Sequence, residues 1–277
     1  MRCAWKELLA ILPQWIREDV DRLGRDSMQE LRLRLGLPPE LVCRGINHLL
    51  SRTVREEDLN FIINTASRYS PWASATIGQG YLTAPGGHRI GICGEAVMDG
   101  GRMTGIRKAD ALCVRVARDF PGLAMEFRNF ERSILIIGAP GSGKTTMLRD
   151  LIRQRSEKGS VAVVDERGEL FPGNCGFSKG PRTDVMTGCP KALGIQRVLR
   201  AMGPSVIAVD EITSEEDCNA LLSALWCGVS VLATAHAGSV TDLRSRPIYR
   251  PLVESGVFEL VIVLRQDKSF KAERIAK

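Results

Sequence analysis

The chain has 277 residues, 44% of them hydrophobic and 25% charged, a globular balance with apolar material for one large domain or two modest ones. Lysine and arginine exceed aspartate and glutamate by six, and the excess is spread evenly along the chain. Nucleic-acid binders concentrate positive charge on one face, so this spread argues against that partner class. No apolar run approaches the ~20 residues of a membrane span.

The eight cysteines include no Cys-x-x-Cys pair and no zinc-finger spacing. They are expected as reduced core residues of a cytoplasmic protein.

In chain order, Trp5, Leu8, Leu9, Leu12, Trp15 and Ile16 have helical spacing, interrupted at Pro13. Leu31, Leu33 and Leu35 alternate with Arg32 and Arg34, the period of a half-buried strand with its arginines on the solvated face. Thr53 and Glu56 have capping-box spacing. Leu59, Ile62, Ile63 and Ala66 continue as a helix, with Pro71 just beyond. Between 81 and 118, two Gly-Gly pairs separate short β-type runs, which predicts hairpins. Residues 1–125 thus predict a smaller α+β domain, with a Pro-Gly turn at the junction.

From 126 to 277 the texture is strand, loop, helix, repeated. "SILIIG", "SVAVVDE", "SVIAVDE", "GVSVLATAH" and "VFELVIVLR" predict buried strands. Helices are predicted over 143–156, 190–202, 214–227 and 239–247. This alternation implies an α/β fold with a mostly parallel sheet covered on both faces.

Gly138-Ala139-Pro140-Gly141-Ser142-Gly143-Lys144-Thr145 fits G-x-x-x-x-G-K-[ST] between a strand and a helix. Such a loop curls its backbone N–H groups onto phosphate oxygens, and the helix start adds its dipole. Lys144 would reach the β/γ-phosphates, and the Thr145 hydroxyl would sit on Mg²⁺. Thr146 follows in the first turn. The predicted cofactors are therefore ATP and Mg²⁺.

Two apolar runs end in Asp-Glu. "SVIAVDE" places Asp210 at a strand end for the Mg²⁺ shell, with Glu211 next to polarise water. "SVAVVDERGEL" offers Asp165, Glu166 and Glu169. A further strand, "GVSVLATAHAGS", carries Thr234 and His236 to the same edge. This suits the RecA-like order, with one strand between the phosphate-loop strand and the magnesium strand. Glu166 is then an auxiliary catalytic or metal-facing acid, and His236 a γ-phosphate sensor.

The order "GAPGSGKTT", "VVDERGE", "VIAVDEI", "ATAHAGS" is similar to the four boxes of the secretion ATPases. With "ELRLRLGLP", "YLTAPGGHRIGICGEAV" and "RTDVMTGCPKALGIQRVLRAMGPSVIAVDEIT", the chain resembles the stage III sporulation protein AA family. The resemblance implies a RecA-like P-loop ATPase behind an N-terminal domain and assembly as a homo-hexamer. It further implies docking on membrane proteins of the mother-cell/forespore channel from the cytoplasmic side. It also implies that an N-terminal arginine reaches nucleotide, with Arg115 and Arg118, or Arg102 and Arg107, as candidates. Two other functions stay open at this level: a nucleic-acid-dependent RecA-like ATPase, and a nucleotide-binding switch with little turnover.

Overall fold

A computed structural model describes residues 1–68, 77, 80–172 and 175–275; Pro71 lies outside them. Compact contacts divide the chain into two units, Met1–Asp119 with Pro172–Gly176, and Phe120–Phe171 with Phe177–Lys277.

The first unit begins with α1 (Trp5–Ala10) and α2 (Gln14–Gly24), separated at Pro13. Then come β1 (Met28–Arg34), β2 (Glu40–Cys43), β3 (Ile46–Leu49) and α3 (Glu56–Ser67). Next are β4 (Tyr81–Thr83), β5 (Arg89–Asp99) and β6 (Arg102–Arg115). The strands form one antiparallel sheet in the order β3-β2-β1-β6-β5-β4. Its apolar face, including Leu31, Leu33, Leu41, Ile90 and Val114, shares a core with Leu8, Ile16 and Val20 of the first helices and Leu59 and Ile62 of α3. The expected capping box of α3 is displaced. Asp58, not Glu56, turns back to accept the Arg55 N–H at 2.9 Å, so the helix starts two residues later than Thr53 suggested.

Two details of this unit recur below. His88 is fully buried; its Nδ1 accepts the Ala117 N–H at 3.1 Å and its Nε2 meets the Ala4 carbonyl at 2.9 Å. The β5–β6 pair also outruns the sheet. Strand β4 pairs β5 only as far as Gly91, and β1 pairs β6 only from Ala111 on. The stretch from Gly94 to Lys108 is therefore a two-stranded ribbon, mostly exposed and interrupted by bulges.

The second unit contains β7 (Ile134–Gly138), α4 (Lys144–Ser156), β8 (Val161–Asp165), β9 (Thr183–Thr187), α5 (Lys191–Met202) and β10 (Val206–Val209). It continues with α6 (Glu215–Trp226), β11 (Ser230–Ala235), α7 (Val240–Ser245), α8 (Arg250–Glu254), β12 (Leu260–Leu264) and β13 (Phe270–Arg274). The sheet order is β13-β12-β7-β11-β10-β8-β9. All neighbours are parallel except β12 and β13. This is the expected α/β fold: β11 lies between the phosphate-loop strand β7 and β10, and β8 lies beyond β10. The central strands are buried end to end, as strands covered on both faces must be.

The reduced-core expectation for the cysteines holds for two of them. Cys43 and Cys218 are buried, whereas Cys93 and Cys227 are exposed; none is joined in a disulfide.

Candidate nucleotide site

Four parallel strands of the second unit end at one edge, with Gly138 closing β7, Asp165 closing β8, Asp210 after β10 and His236 after β11. The carboxyl edge of such a sheet is where open α/β folds bind ligands. The residues that the sequence singled out meet there because of strand order, not sequence proximity.

The phosphate loop is shaped by backbone freedom and close packing. Gly143 sits at φ +106 immediately before α4, in the left-handed region, and a Cβ there would meet nothing. A Cβ on Gly138 would lie 2.6 Å from both the Leu264 carbonyl and the Ser142 hydroxyl, so only glycine lets β7 turn here. Ser142 is buried, and its hydroxyl has no hydrogen-bond partner among the described residues. Ala139, Pro140 and Gly141 form the exposed outer bend. Gln266 donates to the Pro140 carbonyl at 3.3 Å, and Lys268 donates to the Gly141 carbonyl. Thr146 sits in the first turn of α4, half-buried.

Lys144 is buried, and its ammonium donates to the carbonyls of Gly138 and Ala139, each at 3.0 Å, and to His236 Nδ1 at 3.3 Å. With Nδ1 accepting, the imidazole proton resides on Nε2, which faces Glu211 Oε1 at 2.6 Å. Burial depresses the Lys144 pKa, and the Asp210 and Glu211 carboxylates partly restore it. Asp210 accepts from Thr145 Oγ1 at 2.8 Å and from Thr234 Oγ1 at 2.6 Å. Thr234 in turn accepts the Glu211 N–H at 2.7 Å. One continuous network therefore runs Thr145, Asp210, Thr234, Glu211, His236, Lys144. Glu211 adopts φ +58, a conformation that side chains other than glycine rarely take. Its second carboxylate oxygen lies 3.3 Å from Arg167.

The acids of the "VDERGE" segment have separate positions. Asp165 is buried and caps its own loop, accepting N–H bonds from Glu169, Leu170 and Phe171 at 2.9, 2.9 and 3.2 Å. Desolvation pushes its pKa up to about 6 despite these bonds. Glu166 pairs with Lys191 at 2.6 Å. Glu166, Glu169, Asp210 and Glu211 line one small pocket together with Asp165, Arg167 and Lys191.

Three contributors were not legible in the sequence. Arg149 on α4 donates to the carbonyls of Glu169 (3.1 Å) and Leu170 (2.5 Å), tying the acidic loop to the phosphate-loop helix. Lys191 opens α5, where a cation opposes the helix dipole; that anomaly was its available signal. The Gln266–Lys268 turn carries no motif.

Three of the four candidate arginines are engaged within the first unit. Arg118 donates to the carbonyls of Arg25 (2.9 Å) and Met28 (3.3 Å), Arg115 pairs with Glu30 at 3.3 Å, and Arg107 pairs with Glu95 at 2.8 Å. Arg102 is exposed.

The donor set suits a nucleotide with Mg²⁺. Thr145 and Asp210 supply the hard oxygens that this ion prefers, the glycine loop leaves open space, and the Ser142 hydroxyl lacks a partner within it.

The profile of the family described as sporulation stage III, protein AA, matches residues 5–274. Stage III sporulation protein AA of Bacillus subtilis (strain 168) is 36% identical, over 95% of this chain and 91% of its own length. Among solved structures, the ATPase DotB of Yersinia pseudotuberculosis has a TM-score of 0.63 at 19% identity, covering 94% of this chain and 78% of that one. The pilus retraction motor PilT, solved with bound ADP, has a TM-score of 0.62 at 15% identity, covering 95% and 82%. At these identities the two structures speak to the fold alone: this chain shares the α/β architecture of DotB and PilT. The family profile and the Bacillus relative together carry the assignment: this chain belongs to the sporulation stage III protein AA family.

Proposed function

We propose that this chain is a Mg²⁺-dependent ATP hydrolase, working as a ring of identical copies to power assembly of, or transport through, a sporulation membrane channel. The observation that carries the reading is the hydrogen-bonded chain from Thr145 through Asp210, Thr234, Glu211 and His236 to Lys144.

Thr145 and Asp210 are the residues to hold Mg²⁺, with Glu166 as a further candidate. When bound there, the ion would neutralise charge on the phosphate oxygens. The buried Lys144 ammonium exchanges its carbonyl partners for phosphate, and backbone N–H groups at the start of α4 add positive potential. Glu211 accepts a proton from water, and Nε2 of His236 holds its other oxygen in place. When phosphate draws Lys144 away from Nδ1, His236 loses a donor. The imidazole can thus relay the occupancy of the phosphate site to Glu211. Arg115, the more solvent-accessible of the two foremost arginine candidates, is the one proposed to reach nucleotide; Arg118 is held by carbonyls.

The reading is tested with Lys144→Ala and Glu211→Gln in the full chain. Lys144→Ala should abolish hydrolysis; ordinary turnover in that variant would sink the site. Glu211→Gln should keep nucleotide affinity and lose about 10²–10⁴ in kcat, the usual contribution of a positioned base. Light scattering with and without a non-hydrolysable ATP analogue tests the ring, and a monomer under both conditions rules it out. Stimulation by single-stranded DNA would turn the assignment toward a nucleic-acid-dependent ATPase.

A further inference from the structure

Lys191 is the least expected charge in the second unit. It is buried, with about 7% of its side chain exposed, and lysines are rarely buried unless paired. It sits at the first position of α5, where the helix dipole repels a cation. Two carboxylates compensate: Glu166 at 2.6 Å and Asp217 at 3.7 Å. Asp217 is itself buried and accepts the backbone N–H and the hydroxyl of Thr213. It lies in the first turn of α6, the helix that begins just after Asp210 and Glu211.

The approach of α5 that makes this possible is built in. A Cβ on Gly194 would lie 2.4 Å from Val164 Cγ1, so only glycine lets the helix start press against the end of β8. The pocket that Lys191 faces is lined by Asp165, Glu166, Glu169, Asp210 and Glu211. Crowded carboxylates repel one another, and the cations lining this pocket are Lys191 and Arg167.

We propose that Lys191 is a positioning residue of the hydrolytic site: it fixes the Glu166 carboxylate at the pocket rim and locks it, through Asp217, to the helix that follows Glu211. The proposal rests on the ATPase reading above. It makes Glu166 and Lys191 one functional unit and leaves nucleotide affinity to the phosphate loop.

The test is a double-mutant cycle in the full chain with Lys191→Met, Glu166→Gln and the two combined. Lys191→Arg is the conservative rescue, and Lys144→Ala the control. For each protein kcat and KM for Mg-ATP are measured, with affinity for a fluorescent ATP analogue and the unfolding temperature without nucleotide or metal. Lys191→Met should lower kcat by about tenfold or more, with analogue affinity within about threefold of wild type, since a unit acting in the transition state moves kcat and not binding. Lys191→Arg should restore much of the rate. The combined variant should be no slower than the slower single one, and the unfolding shifts should be non-additive.

Rate losses that multiply, with additive unfolding shifts, overturn the proposal. So does a Lys191→Met loss that tracks analogue affinity and stability while Glu166→Gln is silent. Hydrolysis that Lys144→Ala abolishes but that treats Lys191 and Glu166 as independent removes this inference alone. Hydrolysis indifferent to Lys144→Ala removes the ATPase reading and this inference with it. If Lys191→Met fails to fold, Glu166→Gln and Lys191→Arg still decide through their kcat.

Discussion

On the proposed reading, Glu211 sets function against stability at one residue. Its φ of +58 is a conformation in which glycine is at ease and other residues are strained by roughly 1–3 kcal/mol. That strain persists because the Glu211 N–H is held by Thr234 and its carboxylate by His236. Glu211→Gly should therefore abolish turnover while leaving the fold as stable as wild type or up to about 1 kcal/mol more stable. Denaturant midpoints check this, and a large destabilisation would show that the conformation is unstrained.

Gly194 makes the opposite case. Alanine is the better helix former by about 1 kcal/mol, yet its Cβ would intrude on Val164. Gly194→Ala should cost about 1–3 kcal/mol, the usual penalty of overpacking, and should slow hydrolysis by displacing Lys191. A stabilised variant would contradict the packing argument. Some of this was readable in advance and some was not. The phosphate loop is local, so eight consecutive residues announce it. The buried role of Asp165 depends on three N–H groups delivered by the loop after it, which no spacing reveals.

At the scale of elements, the order of the strands does the sorting that strings could not. "VIAVDEI" and "VVDERGEL" end alike. Only pairing puts Asp210 beside Thr145 and Thr234 and sends Asp165 to the far side of β10. The buried strands were legible as continuous apolar runs. The edge strands β9 and β13 were not, because "TDVMT" and "FKAER" are mixed in character and half-exposed.

The segment from Phe120 to Phe127 depends on one carboxylate. Asp150, fully buried on α4, accepts the N–H of Gly122 at 3.1 Å and of Ala124 at 2.7 Å and pairs with Arg153. Asp150→Ala leaves the buried Ala124 N–H without its acceptor, a loss of about 1–3 kcal/mol, while the exposed Gly122 N–H can turn to water. Chemical denaturation should record it, with the faster amide exchange confined to residues 120–127. Unchanged exchange there would mean the segment is held by packing alone.

For the whole molecule, pH acts on the two units in opposite senses. In the first unit, burial lowers the His88 pKa below 6.5. Below 6.5 the unfolded chain gains a proton that the folded chain resists, so this contribution to stability is complete above 6.5 and is lost as pH falls. In the second unit, burial raises the Asp165 pKa from 3.8 to about 6. The folded form then holds a proton between those values that the unfolded form releases, and that contribution is lost as pH rises through 6. Lowering pH from 7 to 5 should therefore weaken the first unit relative to the second. Amide exchange by unit reads this directly, and Asp165→Asn should remove the acid-side gain in the second unit. Parallel responses would contradict the assignment in whichever unit moves against its expected direction.

The β5–β6 ribbon carries a consequence for covalent continuity. Two strands without a third are marginally stable on their own, and Arg102 lies exposed where the ribbon turns. Trypsin should find that site first, yet the peptide bond there carries none of the pairing with β1 or β4. A chain nicked after Arg102 should run as one species on a native sizing column and as two only in denaturant. In this protein an intact backbone and an intact molecule would then be separable properties.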